Sequence, residues 1–220
     1  MKQKKFTHIE KKEIIDLLSE ENSSGRYYDT PEGKFPSVTT VTGWEKRKFF
    51  AEWRKNNPDE AKRTTNRGSK LHSLIEKYID NEKLNKKEID PFTLDLFLQI
   101  KDEVDKIDNI HALELPLYSK LLKLAGRVDC IAEFDGELSV IDFKGSTKQK
   151  RKEDIENYFL QATAYSIMWK ERTGIPVKKI VILIACEDGG VQVFESNPVK
   201  YVAALKSCIE KYEKEKNATL

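Results

Sequence analysis

Residues 158–169 contain no charge, and this stretch limits the possible folds more than any other feature of the sequence. Charged side chains make up 35% of the 220 residues, so an uncharged helix of this length must be buried on nearly all sides. Strand-like segments precede and follow it along the chain. We therefore expect a helix at 152–172 inside an α/β domain.

The order of the remaining elements indicates the architecture. The N-terminal half is mostly helical and the second half follows a β-β-β-α-β-β-α order, which predicts an α/β fold with a helical N-terminal elaboration. Further helices are expected at 7–20, 45–55, 68–80, 91–107 and 198–214, with another helix start at Asn57-Pro58. Strands are expected at 113–118, 124–134, 137–144, 178–185 and 191–194, a loop at 22–36 and a short extended segment at 37–41.

The length favours a single domain. We divide it into an N-terminal helix and loop at 1–35, a helical elaboration at 36–110 that carries His72, an α/β core at 111–197 and a C-terminal helix at 198–220.

The composition excludes several classes of protein. Apolar runs fall short of the ~18 residues that a membrane span needs, and the basic N-terminus has no apolar segment behind it, so we expect no membrane partner and no secretion signal. The three cysteines lack a Cys-x-x-Cys pair and are too few for a four-cysteine iron–sulfur cluster. We expect buried free thiols and a cytoplasmic protein of a bacterial or phage-infected cell.

A hairpin signal brings two aspartates together. Asp135-Gly136 is typical of a two-residue turn, and the register that it sets places Asp129 directly opposite Asp142. Facing carboxylates repel each other unless a cation lies between them, and oxygen ligands suit Mg²⁺ or Mn²⁺. Lys144 shares a face with Asp142. The alternative is an Asp142–Lys144 salt bridge on a solvated face.

Four further residues have both a structural and a functional interpretation. His72 lies beside the apolar stripe of its helix, where most histidines are structural, and Glu114 interrupts a strand in which it could simply point outward. Gln161 and Tyr165 lie one turn apart in the uncharged helix, either as satisfied core groups or as a pair that contacts phosphate or orients the lysine.

Two positively charged segments are candidate nucleic-acid surfaces. Residues 144–152 hold the densest basic cluster, with Lys148, Lys150, Arg151 and Lys152 beyond the strand. In residues 44–54, aromatic side chains including Trp44 and Trp53 alternate with basic ones. They could stack on bases of a single strand, or they could form an amphipathic core helix, which we favour.

Five motifs in order resemble the PD-(D/E)XK nuclease superfamily, specifically its RecB-like exonuclease branch. Mitochondrial genome maintenance exonucleases and their phage-encoded relatives look most similar, and they share a segment like Pro-Ser-Val-Thr at 36–39. The match runs from about residue 36 to 169. The motifs are Gly68-Ser69-Lys70-Leu71-His72, Glu114, Gly126-Arg127-Val128-Asp129, Ile141-Asp142-Phe143-Lys144 and Gln161-Ala162-Thr163-Ala164-Tyr165.

The resemblance implies a restriction-endonuclease-like core, a central mixed β-sheet flanked by helices, and a role for each motif. Asp129 and Asp142 would bind one or two Mg²⁺ or Mn²⁺ ions, with His72 and the backbone carbonyl of Phe143 completing the shell. Lys144 would orient the attacking water, and Glu114 would reach the metal through water or hold a second ion. In the uncharged helix, Gln161 and Tyr165 would support the lysine and a backbone phosphate. Gly145 stands where many relatives have Thr after the lysine.

These roles imply a metal-dependent DNA exonuclease that acts on single-stranded ends in replication, recombination or repair. Two alternatives stay open. One is a structure-specific or restriction-type endonuclease of the same superfamily, and the other is a DNA-binding protein with a vestigial site. The sequence identifies no protein partner.

Overall fold

The computed structural model describes residues 4–9, 16–22 and 24–218. Eight strands and six α-helices are found in these ranges. The strands are β1 (Ser19–Asn22), β2 (Gly25–Thr30), β3 (Gly33–Pro36), β4 (Ile107–Ser119), β5 (Leu124–Phe134), β6 (Glu137–Ser146), β7 (Lys179–Cys186) and β8 (Gly190–Ser196). The helices are α1 (Val38–Thr42), α2 (Arg47–Asn56), α3 (Pro58–Ile79), α4 (Pro91–Val104), α5 (Glu156–Thr173) and α6 (Val202–Asn217).

Five strands form a mixed sheet in the order β4-β5-β6-β7-β8. Only the β6–β7 pair is parallel among these neighbours, since α5 carries the chain across the sheet between them. The α/β fold with a central mixed sheet flanked by helices is confirmed. Its β-β-β-α-β-β-α order follows the sequence prediction, and the charge-free residues 158–169 lie within the helix α5.

Helices cover both faces of this sheet, which produces two apolar cores. The strand β7 is buried along its length because its alternate side chains enter both of them. Ile180, Ile182 and Ile184 pack on the side of α5 and α6. Val181, Leu183 and Ala185 pack on the side of α3 and α4. We call these the α5 core and the α3–α4 core.

The N-terminal part differs from the prediction. Residues 22–36 were expected to be a loop, but β1, β2 and β3 form an antiparallel sheet through them. The segment at 37–41 was expected to be extended, but Val38–Thr42 is the helix α1. Residues 19–22 form a strand rather than the end of the helix expected at 7–20, and residues 10–15 of that helix lie outside the described ranges.

No helix in the described part of the chain is long and apolar enough to cross a membrane. The three cysteines are free thiols, with Cys130 and Cys186 buried.

Candidate active site

The candidate site lies where β5 and β6 separate. The hairpin turn has positive φ at both Asp135 and Gly136, and the predicted register is confirmed up to the pair Cys130–Ile141. The ladder ends there, so Asp129 and Asp142 follow the last pair instead of forming one. The carboxylate of Asp129 replaces the next ladder bond: its Oδ2 accepts the backbone N–H of Phe143 at 2.9 Å.

An unusual backbone conformation places Glu114 beside Asp129. Glu114 stands opposite Asp129, between the pairs Leu113–Cys130 and Leu115–Val128, and its φ is 46°. Leu113 packs on the α3–α4 core and Leu115 on the α5 core, so side-chain alternation is broken at Glu114. Simple outward alternation of Glu114 is therefore wrong. A left-handed backbone costs about 1 kcal/mol for an ordinary residue, which the surrounding sheet must offset.

His72, Glu114 and Asp129 form a group of candidate metal ligands. One ligand atom from each lies within 4.8 Å of the other two. His72 Nδ1 lies 3.6 Å from Asp129 Oδ2, and its ring meets that of Phe143 edge-on. One nitrogen and two carboxylate oxygens at this spacing fit a divalent cation such as Mn²⁺ or Mg²⁺.

The surroundings of Glu114 raise its pKa to about 7. Burial is the main cause, and the charges of Asp129 and Glu76 add to it, while Arg127 and Lys144 act in the opposite direction. A bound cation would therefore stabilise this acidic cluster, since its charge favours the ionised form of Glu114.

Buried Asp142 forms an ion pair with the partly buried Lys144 on the face of β6 towards α5. Lys144 Nζ lies 2.7 Å and 2.6 Å from Asp142 Oδ1 and Oδ2, and Asp142 is 4% exposed. Because Ile141 and Phe143 enter the α3–α4 core, alternation directs Asp142 and Lys144 towards α5, where Lys144 Nζ lies 5.2 Å from the Tyr158 ring centre. The alternative of an Asp142–Lys144 salt bridge is therefore right about the ion pair and wrong about a solvated face.

The ion pair keeps the lysine charged. Burial is the largest single influence on the pKa of Lys144 and acts to lower it, but the charges of Asp142 and Asp129 and the hydrogen bond to Asp142 together outweigh burial and raise the pKa. Burial raises the pKa of Asp142, while Lys144 acts to lower it. The ammonium is thus a fixed positive charge beside the candidate metal ligands.

Gln161 and Tyr165 contact different parts of the structure. The side-chain amide of Gln161 donates to Thr42 Oγ1 of α1 at 3.3 Å. Tyr165 is buried below the acidic residues, and burial, followed by the charge of Asp129, holds the pKa of its hydroxyl well above the usual range. A Cβ atom on Gly126 would lie 2.7 Å from Tyr165 Oη, so this close approach requires glycine.

The aromatic and basic residues predicted for nucleic-acid binding occupy different environments. Trp44 is 5% exposed, its Nε1 donates to Glu215 Oε2 at 3.0 Å, and Arg47 covers its ring. A stacking role for Trp44 is therefore wrong, because the ring lies in the α5 core. The favoured prediction, that residues 44–54 form an amphipathic core helix, is wrong for α2, because no described side chain of α2 is buried.

Of the residues predicted to bind DNA in the basic segment 144–152, only Lys150 lines a cleft beside the site. Trp53 and Lys150 line a cleft next to Lys144. Lys148 is exposed. Arg151 makes two hydrogen bonds with Asp154, and Lys152 lies 5.8 Å from the Phe159 ring centre.

Sequence reasoning missed Arg67. This arginine is 6% exposed and donates to Glu187, which lies just beyond β7. No local pattern could have identified it, because its partner is 120 residues away in the chain.

Comparison with known proteins identifies the family. The family model described as the PD-(D/E)XK nuclease superfamily matches residues 91–216, more than half of the chain. Mitochondrial genome maintenance exonuclease 1 of Mus musculus is 30% identical over 206 residues, covering 83% of this chain. The Homo sapiens protein of the same name is 27% identical over 128 residues, covering 56% of this chain.

The chain spans 60% of the mouse relative and 37% of the human one. A solved structure of a provisionally named exonuclease from Eubacterium rectale has a TM-score of 0.47 at 13% identity, covering 71% of this chain and 68% of that one. This likeness is too distant to inform the assignment.

Proposed function

Because the chain belongs to the PD-(D/E)XK nuclease superfamily, we propose that this nuclease is a metal-dependent exonuclease of DNA that acts on single-stranded ends. The observation that carries the proposal is the adjacency of two groups: the His72–Glu114–Asp129 ligand group and the buried Asp142–Lys144 pair. Phosphodiester hydrolysis requires a Lewis acid, an activated water and a positive charge near the phosphoryl oxygens. The two groups supply these parts from neighbouring strands and one helix.

The donor set fits a divalent cation. His72, Glu114 and Asp129 offer one nitrogen and two carboxylates in a partly buried position, which is a combination that Mn²⁺ and Mg²⁺ accept. A bound ion supplies the Lewis acid for the phosphoryl oxygen. Asp142 joins the ligand set in this proposal, and so does the carbonyl of Phe143.

Lys144 provides the second positive charge. A ligand role for Asp142 weakens its hold on the ammonium, so that Lys144 can donate to the attacking water and to a phosphoryl oxygen. Tyr165, whose hydroxyl stays protonated because burial raises its pKa, remains a hydrogen-bond donor beside the acids. Gln161 acts at a distance by fixing α5 to α1 through Thr42.

The choice of an exonuclease rests on the relatives. Both curated relatives are named exonucleases of mitochondrial genome maintenance, which agrees with a role in DNA replication, recombination or repair. The competing function is a structure-specific or restriction-type endonuclease of the same superfamily. A DNA-binding protein with a vestigial site is the less favoured alternative, since the costly buried pair Asp142–Lys144 has no use in a protein that only binds.

End dependence separates the first two functions. A 5′-labelled linear single strand and a covalently closed circle of the same sequence are incubated with the protein and Mn²⁺, then resolved on a denaturing gel. We expect the linear strand to shorten progressively while the circle stays intact. Cleavage of the circle at a comparable rate would establish the endonuclease instead.

A further inference from the structure

A cleft beside the catalytic lysine combines exposed aromatic rings with cations. We call it the aromatic cleft, and its volume is about 430 Å³. It lies between α2, α3 and the end of β6, next to Lys144. Its lining includes Phe49, Phe50, Trp53, Arg67, Lys150 and Tyr158.

The aromatic rings of α2 have no structural need to be where they are. Phe49 is 65% exposed and Phe50 44% exposed, and their rings contact each other edge-to-face at 5.3 Å between centroids. Because neither ring is buried, their packing accounts for little of the stability of α2. Exposed apolar rings beside a site mark a binding surface.

The charge of the cleft identifies the occupant. Arg54, Arg67 and Lys150 are cations in its lining, and the one acidic residue in that lining, Glu60, is held by Arg63 through two hydrogen bonds. Aromatic faces combined with cations are the recognition elements for single-stranded nucleic acid, since each base offers a face and each phosphate a charge. In a duplex both faces are already stacked on neighbouring bases.

Arg67 is in a position to receive a phosphate. Its guanidinium contacts Glu187 and lies 3.5 Å from the carbonyl oxygen of Gly145, the residue after Lys144. Its Nε is buried and has no hydrogen-bond partner in the described part of the chain. A buried unpaired donor is unfavourable unless a ligand accepts from it. Gly145 allows this approach, because a Cβ there would lie 3.3 Å from Nε.

We propose that the aromatic cleft seats one unpaired nucleotide next to the scissile phosphate, with Phe49 and Phe50 stacking on its base and Arg67 binding its phosphate. The volume is that of a pocket for one small molecule, for which roughly 300–1,000 Å³ is typical. The cleft is lined by Gly145, which follows Lys144 in the chain, and by Tyr158, whose ring centre lies 5.2 Å from Lys144 Nζ. This inference rests on the proposed function, and it explains why that function requires an unpaired strand.

Binding to a strand with and without bases tests the stacking contact. The dissociation constants of fluorescein-labelled oligothymidine and of an abasic oligomer of equal length are measured by anisotropy in EDTA. The proteins are the wild type, Phe49→Ala/Phe50→Ala, and the control Phe92→Ala, which removes a 41% exposed ring from the first turn of α4. Because all three rings are exposed, we expect thermal midpoints close to that of the wild type.

The wild type and Phe92→Ala should bind oligothymidine about fivefold or more tighter than the abasic strand. In Phe49→Ala/Phe50→Ala this ratio should approach one, with abasic affinity unchanged. A wild-type ratio of one, or a double variant that keeps the wild-type ratio, would overturn the proposal.

The phosphate contact has its own test. Arg67→Lys should weaken binding of both strands equally, because the phosphate is common to both. If its thermal midpoint shows that this variant does not fold, Glu187→Gln replaces it and should tighten binding of both strands by freeing the guanidinium. Unchanged affinities in the folded variant would remove Arg67 from the proposal.

Cleavage by the same wild-type sample separates the two levels of inference. If the protein cleaves DNA with Mn²⁺ but binds oligothymidine and the abasic strand equally, the proposal for the aromatic cleft is wrong and the nuclease function is retained. If the protein binds oligothymidine more tightly than the abasic strand but does not cleave DNA, the proposed nuclease function is wrong instead.

Discussion

At the scale of single residues, residue types could be assigned from the sequence but their environments could not. Asp129, Asp142 and Lys144 follow from the hairpin register and strand alternation, which are local rules. The sequence offered an Asp142–Lys144 pair and a metal site at Asp129 and Asp142 as alternatives, but it could not show that Lys144 pairs with Asp142 while Asp129 joins His72 and Glu114. That division depends on where β5 and β6 separate and on the left-handed backbone at Glu114, and neither has a sequence signal.

Glu114 gives a prediction for stability against pH. Its pKa is about 7 in the folded protein, above the ordinary value of 4.5. Between pH 4.5 and pH 7, Glu114 is therefore protonated in the folded state and ionised in the unfolded state. This contribution to stability is present below pH 4.5 and is lost as the pH rises through 7, by at most about 3 kcal/mol.

The neutral variant Glu114→Gln should escape this loss. In EDTA, its thermal midpoint should exceed that of the wild type at pH 8 by several degrees and be close to it at pH 5. The measurement is a pair of melting curves at each pH. An equal difference at both values would show that the Glu114 carboxylate is not buried among like charges.

At the scale of elements, strongly periodic segments were predicted well and short polar ones poorly. The limits of β5 and the turn at Asp135-Gly136 follow from the sequence. The run Val38-Thr39-Thr40-Val41 has strand propensity, yet it is helical because Ser37 Oγ accepts the Thr40 N–H at 3.0 Å and because Val38 and Val41 share one buried face. The strands β2 and β3 were missed because turn residues surround their buried rings Tyr27, Tyr28 and Phe35.

The contact between β5 and α5 gives a prediction for packing. In Gly126→Ala, the new methyl group would lie 2.7 Å from Tyr165 Oη and 3.1 Å from Cε1. We expect the variant to lose about 1–3 kcal/mol of unfolding free energy, as is usual for overpacked positions. Tyr165→Phe removes the nearer atom, so the double variant should recover part of the loss. Urea denaturation of the four proteins measures this coupling.

Gly68→Ala is the matched control. It lies within α3, with no atom within 4 Å of the added methyl group, so we expect a gain of roughly 0.5–1 kcal/mol. If Gly126→Ala were as well tolerated as Gly68→Ala, the close packing of Tyr165 on the Gly-x-x-Asp strand would be wrong.

At the scale of the whole molecule, the two cores explain where the site can be. The sheet is covered by α3 and α4 on one face and by α5 and α6 on the other. The ligand group faces α3, the Asp142–Lys144 pair faces α5, and both meet where β5 and β6 separate. The order of the elements predicts these layers. The aromatic cleft could not be foreseen, because it depends on how α2 lies against α3 and the end of β6.

The central claim is that these two groups form one metal-dependent nuclease site. The most direct test is cleavage of an end-labelled single strand by the wild type, by Asp142→Asn and by Lys144→Met, each with Mn²⁺ and with EDTA. Circular dichroism checks that each variant is folded. We expect cleavage only by the wild type with Mn²⁺, and a loss of at least 100-fold in both variants. Cleavage by folded Asp142→Asn at a rate near that of the wild type, or wild-type cleavage that persists in EDTA, would contradict the account.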